Sequence, residues 1–231
     1  MKIKTSILIK RVCVCVSVHY MLMSNVTLAD TGIIIKKYNP LIGKLENSYV
    51  KVSGDRVNLS RFDNQRKKYR LIDTAKSKYH MIDPVEGSVY TRNLVEKSSY
   101  NDAADLKLIG EGPKLLDEKY PTSHYVFSAK GLTCSHMYIY KGKTKEDLRT
   151  YLKTFMMVPI KVKGIKVSRK DRQCQRAARS AARKIQQLGL PMLIINKDKD
   201  INNTVFKIDS ITLNHDFSEK LFMLPETYKT D

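Results

Sequence analysis

The sequence predicts an α+β domain, a sheet-rich body interrupted by a helical insertion. Three observations carry that expectation. Between Tyr49 and Tyr140, short runs of Val, Ile, Tyr and Thr alternate with turn residues, as in an antiparallel meander. Between Thr144 and Gly189 the apolar period becomes that of two amphipathic helices. After Pro191 the strand pattern returns. The chain has 231 residues, of which 42% are hydrophobic, with 42 Lys+Arg against 23 Asp+Glu and a formal charge of +19. That length suits one domain with an appendage. The apolar share excludes a disordered polyelectrolyte, and the 10 Gly and 7 Pro exclude collagen-like or proline-rich chains.

The appendage is the N-terminus. Lys2, Lys4, Lys10 and Arg11 precede a short apolar run from Val12 to Met23, and Thr27 and Ala29 stand where a signal protease reads small residues. This is the order of a secretory signal over 1–29, with cleavage near Ala29, and the alternative is an uncleaved anchor. The apolar run is too short to span a bilayer. Cleavage removes four bases and no acid, so the charge falls from +19 to +15. It also removes Cys13 and Cys15. Cys134 and Cys174 then remain in an oxidising compartment, where a disulfide is the natural reading against two separate buried thiols. Cys-x-x-Cys spacing is absent, which disfavours a redox enzyme.

Residues 30–231 read as a single domain with the insertion at about 144–189. Asp30 to Glu46 reads as an extended lead-in with a short helix. Strands are expected over Tyr49–Ser53, Arg56–Arg61, Lys68–Asp73, Tyr79–Ile82 and Val89–Arg92. Gly54-Asp55, Asp63-Asn64, Asp83-Pro84 and Glu86-Gly87 punctuate them. Further strands are expected around Leu106–Ile109, Ser123–Ala129 and Thr133–Tyr140, with Lys130-Gly131 as a hairpin turn. Thr144 caps a helix carrying Leu148, Tyr151, Leu152, Phe155 and Met156 at helical spacing, and Pro159 ends it. A second helix runs from about Lys170 to Leu188. Cys174, Ala178, Ala181, Ile185 and Leu188 share one stripe, and Arg172, Arg176, Arg179 and Arg183 share the opposite one. Strands over Met192–Asn196 and Thr204–Leu213 follow, then the tail.

Three stretches resemble a known group. They are Gly54-Asp55-Arg56 through Tyr69–Asp73, Met81–Asp83 and Val89-Tyr90; Ile109–Gly112 through Tyr125–Phe127 and Thr133–Ser135; and the closing Phe222-x-x-Pro225-x-x-Tyr228-Lys229. The order resembles that of small secreted bacterial proteins similar to the lipoprotein carrier LolA, its receptor LolB and mycobacterial LppX-like proteins. The resemblance implies a curved antiparallel sheet, an incomplete β-barrel, packed on two or three helices. It implies an apolar face that accepts acyl chains and carries no catalytic residue over. The arginine-rich helix departs from the group's pattern.

Catalytic and metal motifs are weak. Gly142-Lys143-Thr144 lacks the first glycine of a phosphate-binding loop, since Met137 stands in its place, and a helix cap explains it better. His80, His124, His136 and His215 offer no i, i+4 pair, so no metal site and no cofactor are expected. No nucleophile elbow is present. The expectation is a non-enzymatic periplasmic or secreted binding protein. In one reading a lipid, or a lipidated protein, lies against Tyr69, Leu71, Met81, Val89, Tyr125, Phe127, Met137 and Ile139. In the other, Arg172, Arg176, Arg179, Arg183 and Lys184 dock an anionic membrane surface or an acidic partner. Nucleic acid is disfavoured because no aromatics interleave with those charges. The oligomeric state is not legible. Asn58-Leu59-Ser60 and Asn202-Asn203-Thr204 match glycosylation sequons.

Overall fold

A computed structural model describes residues 30–39, 44–61, 68–94, 104–142, 146–157, 169–196 and 204–230. The expected signal segment, the cap at Thr144, the stop at Pro159 and the second sequon lie outside these residues. The fold is mostly β, with minor helix. In chain order, β1 is Asp30–Asn39, β2 Lys44–Ser53, β3 Arg56–Arg61, β4 Tyr69–Asp73, β5 Lys78–Asp83 and β6 Ser88–Asn93. Next come β7 Ala104–Leu115, β8 Tyr120–Ala129, β9 Leu132–Tyr140, then α1 Glu146–Met157 and α2 Arg169–Leu188. The chain closes with β10 Leu190–Asn196, β11 Thr204–His215, a 3₁₀ turn at Glu219–Phe222 and a short β12 at Lys229–Thr230.

The strands form one open sheet in the order β12-β6-β5-β4-β3-β2-β1-β11-β10-β9-β8-β7. All neighbours are antiparallel except the two-residue β12, which runs parallel to β6. The lead-in expected before Tyr49 is in fact strand throughout its described part. Asp30–Asn39 pairs with β2 on one side and β11 on the other, at the centre of the sheet. The apolar run Ile33-Ile34-Ile35 lacks the clean alternation that marks a half-buried strand, because a central strand is covered on both faces.

Pairing fixes which side chains share a face. Ile33, Val50, Val52, Val57 and Ile72 point to the helix side and form the main core with Leu148, Tyr151 and Leu152 of α1. Leu115, Leu116, Tyr120 and Tyr140, from the far end of the sheet, pack against the same core. A flat sheet would hold them several strands away, so the sheet curls around α1. α2 covers the other half, with Ala177, Ala181 and Ile185 buried against Tyr125, Phe127, Met137 and Ile139. Gly189 breaks α2 at φ +136°, a backbone conformation that other residues rarely adopt. Lys130-Gly131 turns β8 into β9 with φ values of 50° and 78°, as a two-residue hairpin of this hand requires.

The opposite face is covered by the tail. Phe217 packs edge-on against Tyr49 with centroids 6.2 Å apart. The Phe217 N–H donates to Asp30 Oδ2 at 3.1 Å, and Asn58 Nδ2 donates to the Leu221 carbonyl at 2.7 Å. Asn58 is therefore buried and engaged, and the first sequon is not an open glycosylation site in the folded chain. Tyr228 closes a small cluster of Leu71, Ile82 and Val89. The Lys229 N–H then donates to Gly87 O at 3.0 Å. Phe222 and Tyr228 of the closing motif are thus anchors of a strap. Lys51 lies over the Tyr49 and Phe217 rings at 5.4 and 5.7 Å, and burial pulls its ammonium below the usual lysine range.

Cys134 on β9 and Cys174 on α2 are joined in a disulfide, Cα to Cα 5.6 Å, closing a separation of 40 residues. Gln173 Nε2 donates to the Ala129 carbonyl at 2.9 Å one residue before the bond. Because α2 otherwise meets the sheet largely through small alanines, the bond is its main tether. Replacing both cysteines by serine is expected to cost about 2–4 kcal/mol of stability. Hydrogen exchange should show the loss concentrated in α2, and an unchanged exchange pattern there would refute the tether.

Two acid-labile groups sit on β5, one within the strand and one at its end. His80 is buried with its Nδ1 2.9 Å from Thr91 Oγ1; burial first, then Lys78, lowers its pKa below the ordinary 6.5. Asp83 is held below the ordinary 3.8, first by the side-chain hydrogen bond from Lys68, while the Val85 and Glu86 N–H groups donate to its Oδ1 at 3.1 and 3.3 Å. In both cases the unfolded chain takes up the proton first. The stability they contribute is therefore present above the unfolded values and is lost as pH falls through the lower folded ones. Urea midpoints should fall from pH 7.5 to pH 5 as His80 loses its contribution, and again below pH 4. A His80→Gln chain should show a shallower slope between pH 7.5 and 5; an unaltered slope would remove His80 from the account.

Candidate functional site

The sheet's helix face is covered by a single insertion between β9 and β10. α1 packs on β1, β2, β3 and β10, and α2 packs on β7, β8 and β9. Underneath, the surface is apolar from Ile33 across Val50, Val52 and Val57 to Ile72. Leu148, Tyr151 and Leu152 of α1 are buried on it. Burial drives the Tyr151 phenol far above the ordinary tyrosine range, so it stays neutral. Gln186 Nε2 of α2 donates to the Leu152 carbonyl of α1 at 3.3 Å, which ties the two helices to each other. The insertion is therefore one connected cover.

The eight apolar residues expected to line a cavity divide among three places. Tyr125, Phe127, Met137 and Ile139 converge under α2 and are buried there. Tyr69, Leu71 and Val89 lie on the opposite face, beneath the tail, where burial and Tyr228 raise the Tyr69 pKa. Met81 is on the helix face but 39% exposed. A period-2 pattern shows that a strand has two faces but not which one meets the helices. Tyr69 and Ile72 are both covered, and alternation alone treats them alike.

The described part of α2 has one exposed and one buried side. Arg172, Arg176 and Lys184 are exposed, while Ala177, Ala181 and Ile185 are buried on the sheet side. The side chains of Arg179 and Arg183 lie outside the described residues. Ala177 also belongs to the buried stripe, beside the expected Cys174, Ala178, Ala181, Ile185 and Leu188.

Two arrangements escaped the sequence reading. On the helix face of β4–β6, Arg70 pairs with Met81 and Met81 with Tyr90, while Tyr79 pairs with Arg92. The Arg92 guanidinium lies 4.8 Å from the centre of the Tyr90 ring, and its Nε donates to the Tyr90 hydroxyl. On β8 and β9, His124 Nε2 and His136 Nδ1 stand 2.9 Å apart, with His124 stacked on Tyr138 at 4.7 Å. The two histidines are diagonal neighbours across a hairpin, a relation that i, i+4 counting does not find. Among the described residues no group of three or more His, Cys, Asp or Glu gathers to hold a metal ion. No helix among them is long and apolar enough to cross a membrane.

No protein-family model matches the sequence, and no curated protein sequence does. Among solved structures, an uncharacterised conserved protein from Thermus thermophilus is similar at 9% identity and TM-score 0.47, covering 94% of this chain and 98% of that one. MucB is similar at 9% identity and TM-score 0.40, over 94% of this chain and 65% of MucB. A LolA superfamily protein from Nitrosomonas europaea is similar at 9% identity and TM-score 0.31, over 85% of this chain and 90% of that one. The resemblance to these structures is distant.

Proposed function

We propose that this is a non-enzymatic binding protein of an oxidising envelope compartment, which holds an acyl chain or a lipidated partner between the sheet and its helical cover. The observation that carries the reading is the cover itself. One insertion, with its helices joined by Gln186, lies on a continuous apolar sheet face, and its second half rests on alanines. Along α2, Ala177 and Ala181 give up less area on lifting than Leu148, Tyr151 and Leu152 of α1 would. The surface beneath it matches an acyl chain in polarity. The disulfide supports an oxidising location, and the basic head and small-residue cut of 1–29 support export.

The test is native mass spectrometry of the protein purified gently from its own envelope fraction, with titration of a neutral hydrophobic dye alongside. A lipid-sized adduct and saturable dye binding at one site are expected. A bare mass together with no saturable dye binding would sink the carrier reading.

A second reading rests on a separate observation, the exposed Arg172, Arg176 and Lys184 on the outward face of α2. Here the folded protein docks on an anionic membrane surface. Arg172→Glu with Arg176→Glu should abolish co-sedimentation with anionic vesicles at low salt. Undiminished co-sedimentation would dispose of this reading.

A further inference from the structure

We propose that the helix face of β4–β6 is a headgroup site for an anionic phospholipid, with Arg70 and Arg92 as its phosphate ligands. This rests on the carrier reading and specifies its ligand. Two rows of side chains cross the sheet here. One runs Val50, Leu59, Arg70, Met81, Tyr90, and the other runs Val52, Val57, Ile72, Tyr79, Arg92. Each row begins in the dry core under α1, where Val50, Val52 and Val57 are fully buried. Each becomes amphipathic beyond the strands on which α1 packs. Leu59, Tyr79 and Leu94 are half-buried at the border. An acyl chain laid along a row would leave water residue by residue and bring its polar end to the arginines.

The charge at that end is uncompensated among the described residues. Among the described residues neither Arg70 nor Arg92 meets a carboxylate; the acid on this part of the face, Asp83, is taken by Lys68. Arg92 is instead oriented by Tyr90, through the ring face and the hydroxyl. Arg70 and Arg92 are two strands and one pleat repeat apart, so their Cα atoms are separated by about 12 Å from sheet spacing and strand rise. Two guanidinium arms can meet on one phosphate across that span, above Met81 and Tyr79. Guanidinium forks suit phosphate oxygens, and their bonds are charge-assisted. Exposed Met81, at 39%, lies between them and would pack on the glycerol end of the chain.

The experiment offers the full chain, freed of bound lipid, to mixed vesicles of phosphatidylglycerol and phosphatidylcholine with identical acyl chains. Lipid carried into the soluble protein fraction is identified by native mass spectrometry. Both lipids carry a phosphodiester, and phosphatidylglycerol should be favoured by at least about tenfold because the choline ammonium would bring a like charge beside the two guanidiniums. Arg70→Gln with Arg92→Gln should erase the preference, and Arg70→Lys with Arg92→Lys should restore part of it. Lys107→Gln with Lys119→Gln, an equal charge change at exposed positions far along the sheet, should leave it intact. Capture of both lipids without preference would overturn the headgroup site and leave the carrier reading standing. Capture of neither lipid would overturn both. Suppression of capture by millimolar inorganic phosphate to the same degree as by excess lipid would assign the arginines to free phosphate, and overturn the lipid assignment.

Discussion

Everything in this fold depends on β1 pairing on both sides. It joins the meander β2–β6 to the group β7–β11, and without it the sheet is two separate pieces. Its two faces make opposite demands. Ile33 and Ile35 go fully into the core under α1. On the other side, a Cβ at Gly32 would fall 2.8 Å from the Tyr49 hydroxyl and 3.5 Å from the Phe217 ring, so the tail can cross only where there is no side chain. Asp30, at the start of the same strand, receives the Phe217 N–H. The first described strand thus fixes the place where the end of the chain is fastened.

The sheet's two apolar faces are covered by unlike means, and the difference bears on function. The tail is a strap with large anchors, Phe217, Phe222 and Tyr228, and it ends by adding a parallel strand to β6. A buried Phe side chain contributes roughly 1.5–3 kcal/mol, so this cover is hard to lift. α2 offers Ala177, Ala181 and Ile185 instead. Alanines bring a helix close but bury little area each. The covalent bond at Cys174 sits towards the N-terminal half of α2, and Gly189 ends the helix at a left-handed residue. Of the two covers, α2 therefore buries the smaller side chains and is held to the sheet by a covalent bond near its start.

The strands from Arg56 to Tyr140 and both helices were legible because their patterns are local: alternation, turn residues, a 3.6-residue stripe. The disulfide was legible because only two cysteines follow residue 29 and α2's stripe aims Cys174 inward. β1 was not legible as a strand, since full coverage erases alternation. The division of the apolar residues was hidden for a related reason. Leu71 and Ile72 are adjacent and both buried, one under the tail and one under α1, and only pairing reveals which is which. Arg70, Met81, Tyr90 and Arg92 are scattered over 23 positions, and they become neighbours only through the β4–β5–β6 register. Nothing in the β7–β8 turn sequence announces three consecutive left-handed residues at Leu116, Asp117 and Glu118, with φ of 52°, 55° and 63°. They are held because Leu115 and Leu116 reach the core on which α1 rests. A tertiary contact overrides a local cost of about 1–2 kcal/mol per residue there.

The positive charge of this chain is therefore not one property. Arg172 and Arg176 stand in water on the outside of α2, where ions within a Debye length of about 8 Å at physiological salt screen them. Arg70 is half-buried beside Met81 at the border of an apolar surface, where a phosphate would displace water and the remaining pair would be screened less. Salt would therefore act on the two proposed contacts unequally: docking through α2 would fade with ionic strength, and a lipid already seated between the rows would persist. A protein that used both would approach an anionic membrane through α2 and leave with one lipid held by the arginines of β4 and β6. The first step would be set by the field of the helix and the second by the local pairing of three strands.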